Sequence, residues 1–254
     1  MLHLIDTHAH LDEIEVLDEQ IIEAKEAGLV AIIAVGSDLS SNQRVLEIAN
    51  LHQGFIFPAL GWHPWYIKED GIDANLEFIA ANIDKVVGVG EIGLDYHKRV
   101  RVASSKDLQK TVLDELCKLA AAHDKPVLIH SRYAWRDAYD AVYHAGLEKA
   151  VFHWYTGTSS VLRDIIEHGY YISVTPAVEY HEEHRRAVKE APLSQLLLET
   201  DSPVTYGRGS DHEFVASPAY VRRSLKITAE LKGLSEAELA AATTKNAERL
   251  FGIV

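Results

Sequence analysis

Short apolar runs alternate with amphipathic helical patterns along the sequence, and this alternation restricts the possible folds more than any other feature. Eight apolar runs have the length and composition of strands in a parallel sheet. Helical patterns separate them, as in consecutive β/α units. The predicted strands span residues 2–6, 29–35, 55–60, 86–90, 126–129, 150–152, 170–174 and 196–198. The predicted helices span residues 16–27, 39–51, 74–82, 106–123, 134–144, 159–168, 180–190, 218–231 and 235–250.

Eight nearly regular β/α units predict an α/β protein that forms a TIM-type (β/α)8 barrel. The length of 254 residues and the hydrophobic content of 47% suit one barrel of this kind. A doubly wound open sheet is the alternative, but the regular repetition of eight units favours closure. Because no linker divides the chain, we expect a single domain over residues 1–254.

The net charge and the cysteine content limit which binding surfaces and which cellular compartment are expected. With 25 Lys and Arg against 38 Asp and Glu, the formal charge is −13, so a basic nucleic-acid-binding surface is not expected. Cys117 is the one cysteine, and without an internal disulfide a reducing cytoplasm is expected. No signal-peptide pattern is found, and no apolar run approaches about 18 residues, so no membrane span is expected. No feature predicts an obligate protein partner.

Residues of metal-binding type follow the predicted strands at their carboxyl ends. His8 and His10 are two residues apart at the end of the first strand, so both imidazoles point the same way and can hold one divalent ion. The carboxyl ends of parallel barrel strands form one face, where active sites lie. We therefore expect this whole set to converge there: His8, His10, His63, Glu91, His130, His153 and Asp201.

The number of these residues suits two ions better than one. Four imidazoles and two carboxylates are available without His63, whereas one tetrahedral ion uses three or four ligands. Glu91 can bridge two ions through its two oxygens. Two ions about 4 Å apart can clamp the attacking and leaving oxygens of a phosphodiester. The mixed donors suit zinc or manganese, with magnesium also possible. One ion would take His8, His10 and Asp201, and the other His130 and His153.

Several neighbouring polar residues have predicted supporting roles. Asp201 is also a candidate general base, and Glu199 and Asp95 are candidates for orienting a ligand imidazole. His63 is expected to contact or protonate a phosphate oxygen. For Arg132, a bidentate phosphate contact and a salt bridge at the barrel rim remain open alternatives.

Four aromatic residues flank the predicted site. Flat rings beside a phosphate site can stack on the bases of a single strand, although loop packing is the alternative for each one. Together they make single-stranded DNA or a nucleotide-like molecule a reasonable substrate. These residues are Trp62, Trp65, Trp154 and Tyr155.

Two further patterns resemble known motifs and are rejected. Residues 88–93 satisfy the Gly-x-Gly-x-x-Gly dinucleotide fingerprint, but no helical pattern follows and Glu91 would face the anion. We expect these glycines to let the backbone pass close to the metals. His181 and His184 are three residues apart rather than four, so the zinc-protease motif is absent and a solvated helix face is expected.

Seven short motifs occur in order across essentially the whole chain. They are Asp6-Thr7-His8-Ala9-His10-Leu11, Gly61-Trp62-His63-Pro64, Gly90-Glu91-Ile92-Gly93-Leu94-Asp95, Pro126-Val127-Leu128-Ile129-His130, Val151-Phe152-His153, Leu198-Glu199-Thr200-Asp201-Ser202-Pro203 and Asn246-Ala247-Glu248-Arg249-Leu250-Phe251. Together they resemble the TatD family of metal-dependent hydrolases, within the amidohydrolase-like barrels. The resemblance implies a TIM-type barrel, a divalent-metal site and deoxyribonuclease-type phosphodiester hydrolysis, with His63 near the substrate phosphate. The metal ligands that the resemblance implies are His8, His10, Glu91, His130, His153 and Asp201.

The sequence also departs from the family pattern, and the departures bear on substrate choice. Many relatives have a second histidine where this chain has Trp65, and Cys-Phe where it has Trp154-Tyr155. Residues 204–217 lack the usual Asn-Glu-Pro run and instead carry Arg208, Asp211 and His212.

Three functional hypotheses follow. The first is a two-metal hydrolase that cuts phosphodiesters, removing nucleotides of DNA from a 3′ end. The second is an amide or ester hydrolase of the same barrel class, such as a deacylase or an aminoacyl-tRNA deacylase, in keeping with the charge of −13 and the unusual segment 204–217. The third is a non-catalytic binding barrel, which the intact set of predicted ligands disfavours.

Overall fold

The computed structural model describes residues 2–68 and 72–253, and its centre is one eight-stranded sheet. Each strand pairs in parallel with the next one along the chain. The strands are β1 Leu4–Ala9, β2 Leu29–Val35, β3 Ile56–Trp62, β4 Gly88–Asp95, β5 Val127–Arg132, β6 Ala150–Phe152, β7 Tyr171–Val174 and β8 Leu196–Leu198. A small antiparallel hairpin of β9 Thr205–Tyr206 and β10 Phe214–Val215 lies outside this sheet.

Helices connect the strands and cover the sheet. They are α1 Leu17–Glu26, α2 Leu39–Leu51, α3 Ile72–Asn82, α4 Val100–Ala103, α5 Lys106–Ala122, α6 Trp135–His144, α7 Ser159–Glu167, α8 Glu182–Glu190, α9 Val221–Lys232 and α10 Glu236–Phe251. The predicted β/α alternation is therefore confirmed, with small changes at element ends. In the part of the chain that the structure describes, no helix has both the length and the apolar character needed to cross a bilayer.

Backbone hydrogen bonds close the sheet into a barrel. The amide of Asp201 donates to the carbonyl of His8 at 3.0 Å, and the amide of His10 donates to the carbonyl of Ser202 at 2.8 Å. The segment that follows β8 thus pairs with β1, the first strand. The predicted TIM-type barrel is confirmed, and the open-sheet alternative is excluded.

The apolar residues of the strands divide between two faces of the sheet. The neighbours Ile32 and Ile33 belong to different buried clusters, because successive strand residues point to opposite sides. Ile33 shares its cluster with Leu128 and with Phe251 of α10, whereas Ile32 packs in the larger cluster with residues such as Val45 of α2. Burial on both faces is why the strands are almost continuously apolar in sequence.

Strands β4 and β5 run past their predicted carboxyl ends, as β1 and β3 also do. The fourth and fifth strands were expected to end at residues 90 and 129, but β4 continues to Asp95 and β5 to Arg132. The two extensions pair with one another, with Gly93 opposite His130. Glu91 and His130 therefore lie inside strands rather than beyond them, so sheet pairing fixes their backbones.

Candidate metal centre

Glu91 lies at the centre of the converged side chains. Its Oε2 atom is 3.4 Å from His8 Nε2 and 3.2 Å from His10 Nε2. Its Oε1 atom is 2.8 Å from His153 Nε2 and 3.0 Å from His130 Nδ1. The two carboxylate oxygens therefore face two different pairs of imidazoles, which is the arrangement that the sequence predicts for a bridging ligand.

Asp201 completes the group around His8 and His10. Its Oδ1 atom is 3.6 Å from His8 Nε2 and 3.4 Å from His10 Nε2. The backbone of Asp201 is in the left-handed region, with φ of 51°. Such a conformation costs of order 1–3 kcal/mol for a residue with a side chain, and it is concentrated at functional sites. Here it accompanies a carboxylate that faces both imidazoles.

The donor atoms fit a divalent metal ion. His8 Nε2 is buried and has no hydrogen-bond partner within residues 2–68 and 72–253, although it points toward two carboxylate oxygens. Buried polar atoms are almost always satisfied, and an ion would satisfy this one. Three groups have ligand atoms within 4.8 Å of one another, namely His8 with His153 and Asp201, His8 with His10 and Glu91, and His63 with Glu91 and His130.

Burial and charge oppose one another at these residues. Burial raises the pKa of Glu91, but the charged imidazoles around it, among them His153 and His10, outweigh burial and hold that pKa well below its ordinary value. Burial lowers the pKa of His153, but Glu91 and Glu199 outweigh it and raise that pKa well above its ordinary value. Glu91 therefore stays ionised, as a bridging ligand must, and protons compete with metal for the imidazoles.

Glu199 supports His153 from the side that faces away from Glu91. Its Oε1 atom is 3.5 Å from His153 Nδ1 and accepts a hydrogen bond from the amide of Trp154 at 2.9 Å. Its Oε2 atom accepts a hydrogen bond from the Ser173 hydroxyl at 2.7 Å. This geometry supports the predicted orienting role, because a carboxylate beside the second ring nitrogen fixes the ring of a metal ligand.

Asp95 occupies the equivalent position beside His130. Its Oδ2 atom is 3.5 Å from His130 Nε2 and accepts a hydrogen bond from Trp65 Nε1 at 2.7 Å. Its Oδ1 atom accepts a hydrogen bond from the amide of His97 at 2.8 Å. Arg132 reaches it with Nε at 3.0 Å and Nη2 at 2.7 Å. Burial raises the pKa of Asp95, but hydrogen bonds from His130 and Arg132 outweigh it and hold the pKa below its ordinary value.

His63 faces the centre through its Nε2 atom. Its Nε2 atom is 3.6 Å from Glu91 Oε1, and its Nδ1 atom accepts a hydrogen bond from the amide of Trp65 at 3.2 Å. Burial, against the attraction of Glu91, lowers the pKa of His63 well below its ordinary value. In a neutral ring whose Nδ1 accepts, the proton sits on Nε2. This geometry favours the predicted phosphate contact, since a ligand nitrogen must be unprotonated.

Two glycines allow the strands that carry these residues to pack closely. A Cβ atom on Gly61 would lie 2.4 Å from the carbonyl oxygen of Glu91. Gly93 has φ of +151°, and a Cβ atom there would lie 1.9 Å from the carbonyl oxygen of His130. Gly93 makes room for the neighbouring strand. The expectation that the glycines of residues 88–93 let the backbone pass close to the metals stays a prediction. The rejection of the dinucleotide motif is confirmed, because residues 88–95 form one strand and the next helix begins only at Val100, too far on to open at the last glycine of the motif.

The comparisons with known proteins agree with this centre. The sequence profile of the family described as TatD related DNase matches residues 5–252. The chain belongs to the TatD family. The predicted resemblance to these metal-dependent hydrolases is thereby confirmed.

Two relatives of this TatD-family protein and one solved structure cover nearly its whole length. The uncharacterized metal-dependent hydrolase YabD of Bacillus subtilis is 36% identical, with 98% of this chain and 99% of the relative aligned. The 3′-5′ ssDNA/RNA exonuclease TatD of Citrobacter rodentium is 31% identical, over 93% of this chain and 92% of the relative. The crystal structure of YjjV, a TatD homologue from Escherichia coli, has a TM-score of 0.87 at 29% identity, covering 99% of this chain and 98% of that one.

A cavity of about 1310 Å³ opens over the candidate metal centre of the TatD barrel. Four of the predicted substrate-contacting residues line it, and so do several that sequence reasoning missed. Arg132 lines the cavity and makes the salt bridge to Asp95, so the rim salt bridge is confirmed and the phosphate contact stays a prediction. The four predicted residues are His63, Trp65, Arg132 and Trp154, and those missed include Tyr66, Tyr133, Arg136 and Arg186.

Two of the aromatic predictions are wrong. Trp62, the last residue of β3, and Tyr155 are both buried in the main apolar cluster rather than on the cavity wall. The Tyr155 hydroxyl donates to the carbonyl of Thr158 at 2.7 Å, and its ring packs on Trp135 with centroids 4.5 Å apart. Neither ring is available to a base. The missed Tyr66 and Tyr133 each lie three residues after a predicted site histidine, His63 and His130, and this proximity is the sequence signal that indicates them.

The prediction of a solvated helix face at residues 181–184 is wrong for His184. This side chain is fully buried, with Nε2 accepting from the amide of Thr175 at 3.1 Å and Nδ1 donating to the carbonyl of Tyr155 at 2.9 Å. His181 is half-buried and lines the cavity instead. The absence of a zinc-protease site here is consistent with both ring nitrogens of His184 being used by backbone groups.

The unusual segment 204–217 forms the β9–β10 hairpin beside the metal centre. The hydroxyl of Tyr206 donates to the carbonyl of Thr200 at 2.8 Å, next to Asp201. The ring of Tyr206 packs against Trp154 at 5.2 Å between centroids. Arg208 extends the hairpin over the cavity and lines it. The segment thereby contributes to the cavity wall at the point where this chain departs from the family pattern.

Proposed function

We propose that this TatD-family protein is a deoxyribonuclease that uses two divalent ions to remove nucleotides from the 3′ end of a single strand. The observation that carries the proposal is the orientation of Glu91, whose two oxygens face separate imidazole pairs. The name of the Citrobacter relative, a 3′-5′ exonuclease of ssDNA and RNA, supports the substrate and the polarity. A one-ion site would leave one of the two imidazole pairs without a role.

Each ion would be held by its own part of the donor set. His8, His10 and Asp201 would hold one beside Glu91 Oε2, and His130 and His153 the other beside Oε1. The mixed nitrogen and oxygen donors suit zinc or manganese, and magnesium is the third candidate. When bound, two such ions activate a water molecule and neutralise charge on a phosphodiester.

The side chains would divide the proton transfers between them. The oxygen of a water molecule attacks phosphorus while its proton passes to the carboxylate of Asp201. The bond from phosphorus to the leaving nucleoside oxygen breaks on the opposite side. His63 Nε2, which holds a proton and faces the centre, would donate to that oxygen or to a phosphate oxygen. Arg132 would contact phosphate at the rim, and Trp65 and Trp154 would contact the nucleotide from the cavity wall.

Replacement of Glu91 tests the proposal. The Glu91→Gln variant keeps the size of the side chain but removes the charge shared by both imidazole pairs. We expect cleavage of a 3′-labelled single-stranded oligonucleotide to fall at least about a thousandfold, the loss that corresponds to about 4 kcal/mol of transition-state stabilisation. Metal content, measured by mass spectrometry on the same preparations, should fall as well.

The matched control is Glu167→Gln, an exposed acid at the end of α7. This control should keep the metal content and the rate of wild type. Equal cleavage by Glu91→Gln and wild type would refute the two-ion mechanism. A wild-type protein that binds metal but hydrolyses amides or esters in preference to DNA would instead support the alternative deacylase function, for which the hairpin at 204–217 is the structural argument.

We also propose that the protein works in the reducing cytoplasm. Cys117 is buried within α5, and burial raises the pKa of its thiol to about 12. A thiol of that kind is neither a nucleophile nor a disulfide partner.

A further inference from the structure

Large exposed aromatic side chains gather on the wall of the cavity. Trp65 is 51% exposed and Tyr133 is 73% exposed, and both line the cavity, as does Tyr66. Single exposed aromatics are common on protein surfaces, so exposure by itself means little. Exposed rings that share the wall of a cavity with a metal centre are different, because apolar surface at such a place marks a binding site.

The ring of Trp65 is fixed in place by polar contacts at its edge. Its Nε1 atom donates to Asp95 at 2.7 Å, and the guanidinium carbon of Arg132 lies 5.5 Å from the centre of the ring. Arg132 is itself held by Asp95. A ring that is already immobilised loses little conformational entropy when a ligand packs against it, and preorganisation of this kind favours binding.

Tyr133 follows Arg132 and is exposed in an unfavourable backbone conformation. Its φ is 59°, in the left-handed region that residues with a Cβ atom rarely adopt. The ring stacks on His97 with centroids 6.3 Å apart and an interplanar angle of 24°. Its hydroxyl makes no hydrogen bond to any residue that the structure describes. Neither burial nor hydrogen bonding accounts for this side chain, which suggests a role in contacting a ligand.

We propose that Tyr133 and Trp65 form a stacking surface for the unpaired bases of a single-stranded nucleic acid. The inference rests on the proposed function, because the strand would be held with its scissile phosphate at the metal centre. Arg132 connects the two residues, because it precedes Tyr133 in the chain and its guanidinium lies over the ring of Trp65. Stacking on an aromatic side chain tolerates any base, since every base has a π-face.

This surface would select single strands over duplexes. A base inside a duplex is paired and stacked on both neighbours, so neither of its faces is available to a protein side chain, and the terminal base exposes one face only. A base inside the duplex can reach Tyr133 only after leaving the helix. The wall of the cavity, and not the metal centre, would then set the preference for unpaired ends.

The test compares Tyr133→Ala, Tyr133→Phe and wild type on two matched oligonucleotides. One carries natural bases at its 3′ end, and the other carries abasic residues at the same positions. Binding is measured by fluorescence anisotropy in EDTA, so that cleavage does not interfere, and kcat/KM is measured with metal. We expect Tyr133→Ala to weaken both for the natural strand by about 5-fold to 150-fold, the range for loss of one stacked base. Tyr133→Phe keeps the ring and should stay within about twofold of wild type.

The abasic strand and a second tyrosine provide the controls. Tyr133→Ala and wild type should treat the abasic strand alike, because no base is there to stack. Tyr143→Ala removes another exposed tyrosine, on α6 outside the cavity, and should behave as wild type on both strands. An unchanged affinity of Tyr133→Ala for the natural strand, or an equal loss on the abasic strand, would overturn the inference. Wild-type protein that neither binds nor cuts DNA would refute the proposed function itself.

Discussion

His184 makes the stability of this barrel sensitive to acid. The side chain is buried between the amide of Thr175 and the carbonyl of Tyr155, and it can satisfy both only as a neutral ring. Burial lowers the pKa of His184 to about 4, from 6.5 for an exposed histidine. Because the unfolded chain binds the proton more tightly, the contribution of His184 is complete above pH 6.5 and is lost as the pH falls toward 4.

These two pKa values give the size of the effect. Between pH 7 and pH 5 the unfolded histidine becomes almost fully protonated, while the folded one stays largely neutral. The linkage relation then gives a loss of about 2 kcal/mol in the free energy of unfolding. For a domain of this length, such a loss corresponds to a decrease of about 4–8 °C in Tm.

The assay is thermal unfolding of wild type and His184→Gln at pH 7 and pH 5, in EDTA. Other histidines titrate in both proteins, so the comparison of interest is the difference between the two decreases in Tm. We expect the decrease in wild type to exceed that in the variant by about 4–8 °C. His123→Gln, which replaces an exposed histidine, serves as the control and should follow wild type. Equal decreases in wild type and His184→Gln would refute a buried neutral His184.

Two further substitutions test how the backbone and the carboxylates hold the predicted metal ligands. Gly93→Ala places a Cβ atom 1.9 Å from the carbonyl oxygen of His130, so the free energy of unfolding should fall by more than about 3 kcal/mol in denaturant unfolding. Gly233→Ala, at φ of +65° with open space around it, should cost only about 1 kcal/mol, and equal losses would contradict the steric argument. Asp95→Asn removes the charge beside His130 Nε2, so zinc affinity in a chelator competition should fall about 10-fold to 100-fold. An affinity equal to that of wild type would show that Asp95 does not orient this imidazole.

Topology explains why the candidate site was predictable. In a parallel barrel all strands end on one face, so residues at the ends of different strands must converge whatever their separation in sequence. Errors of a few residues at the strand ends did not disturb this reasoning. Glu91 and His130 lie inside strands rather than after them, yet they still meet His8 and His153 at the same face.

Side-chain direction explains most of what was not predictable. Trp62 and Trp65 both flank His63 in sequence, but one is buried in the core and the other is exposed in the cavity. Arg132 was recognised as a cation at the rim, while its partner Asp95 comes from a different strand. His184 lies on a helix of charged residues, and only packing against Thr175 and Tyr155 shows that it is buried.

The sequence by itself determined the eight-fold alternation of strand and helix, the barrel that follows from it, and the set of residues at its active face. Periodicity and apolar content are local properties of a chain, so they can be read without coordinates. Only the tertiary structure decided which of these side chains face the centre and which aromatic rings reach the cavity. Tyr133, Trp154 and Asp201 all adopt left-handed backbone conformations that residue type does not predict. Contacts with neighbouring strands and loops impose those conformations, and the conformations set the direction of each side chain.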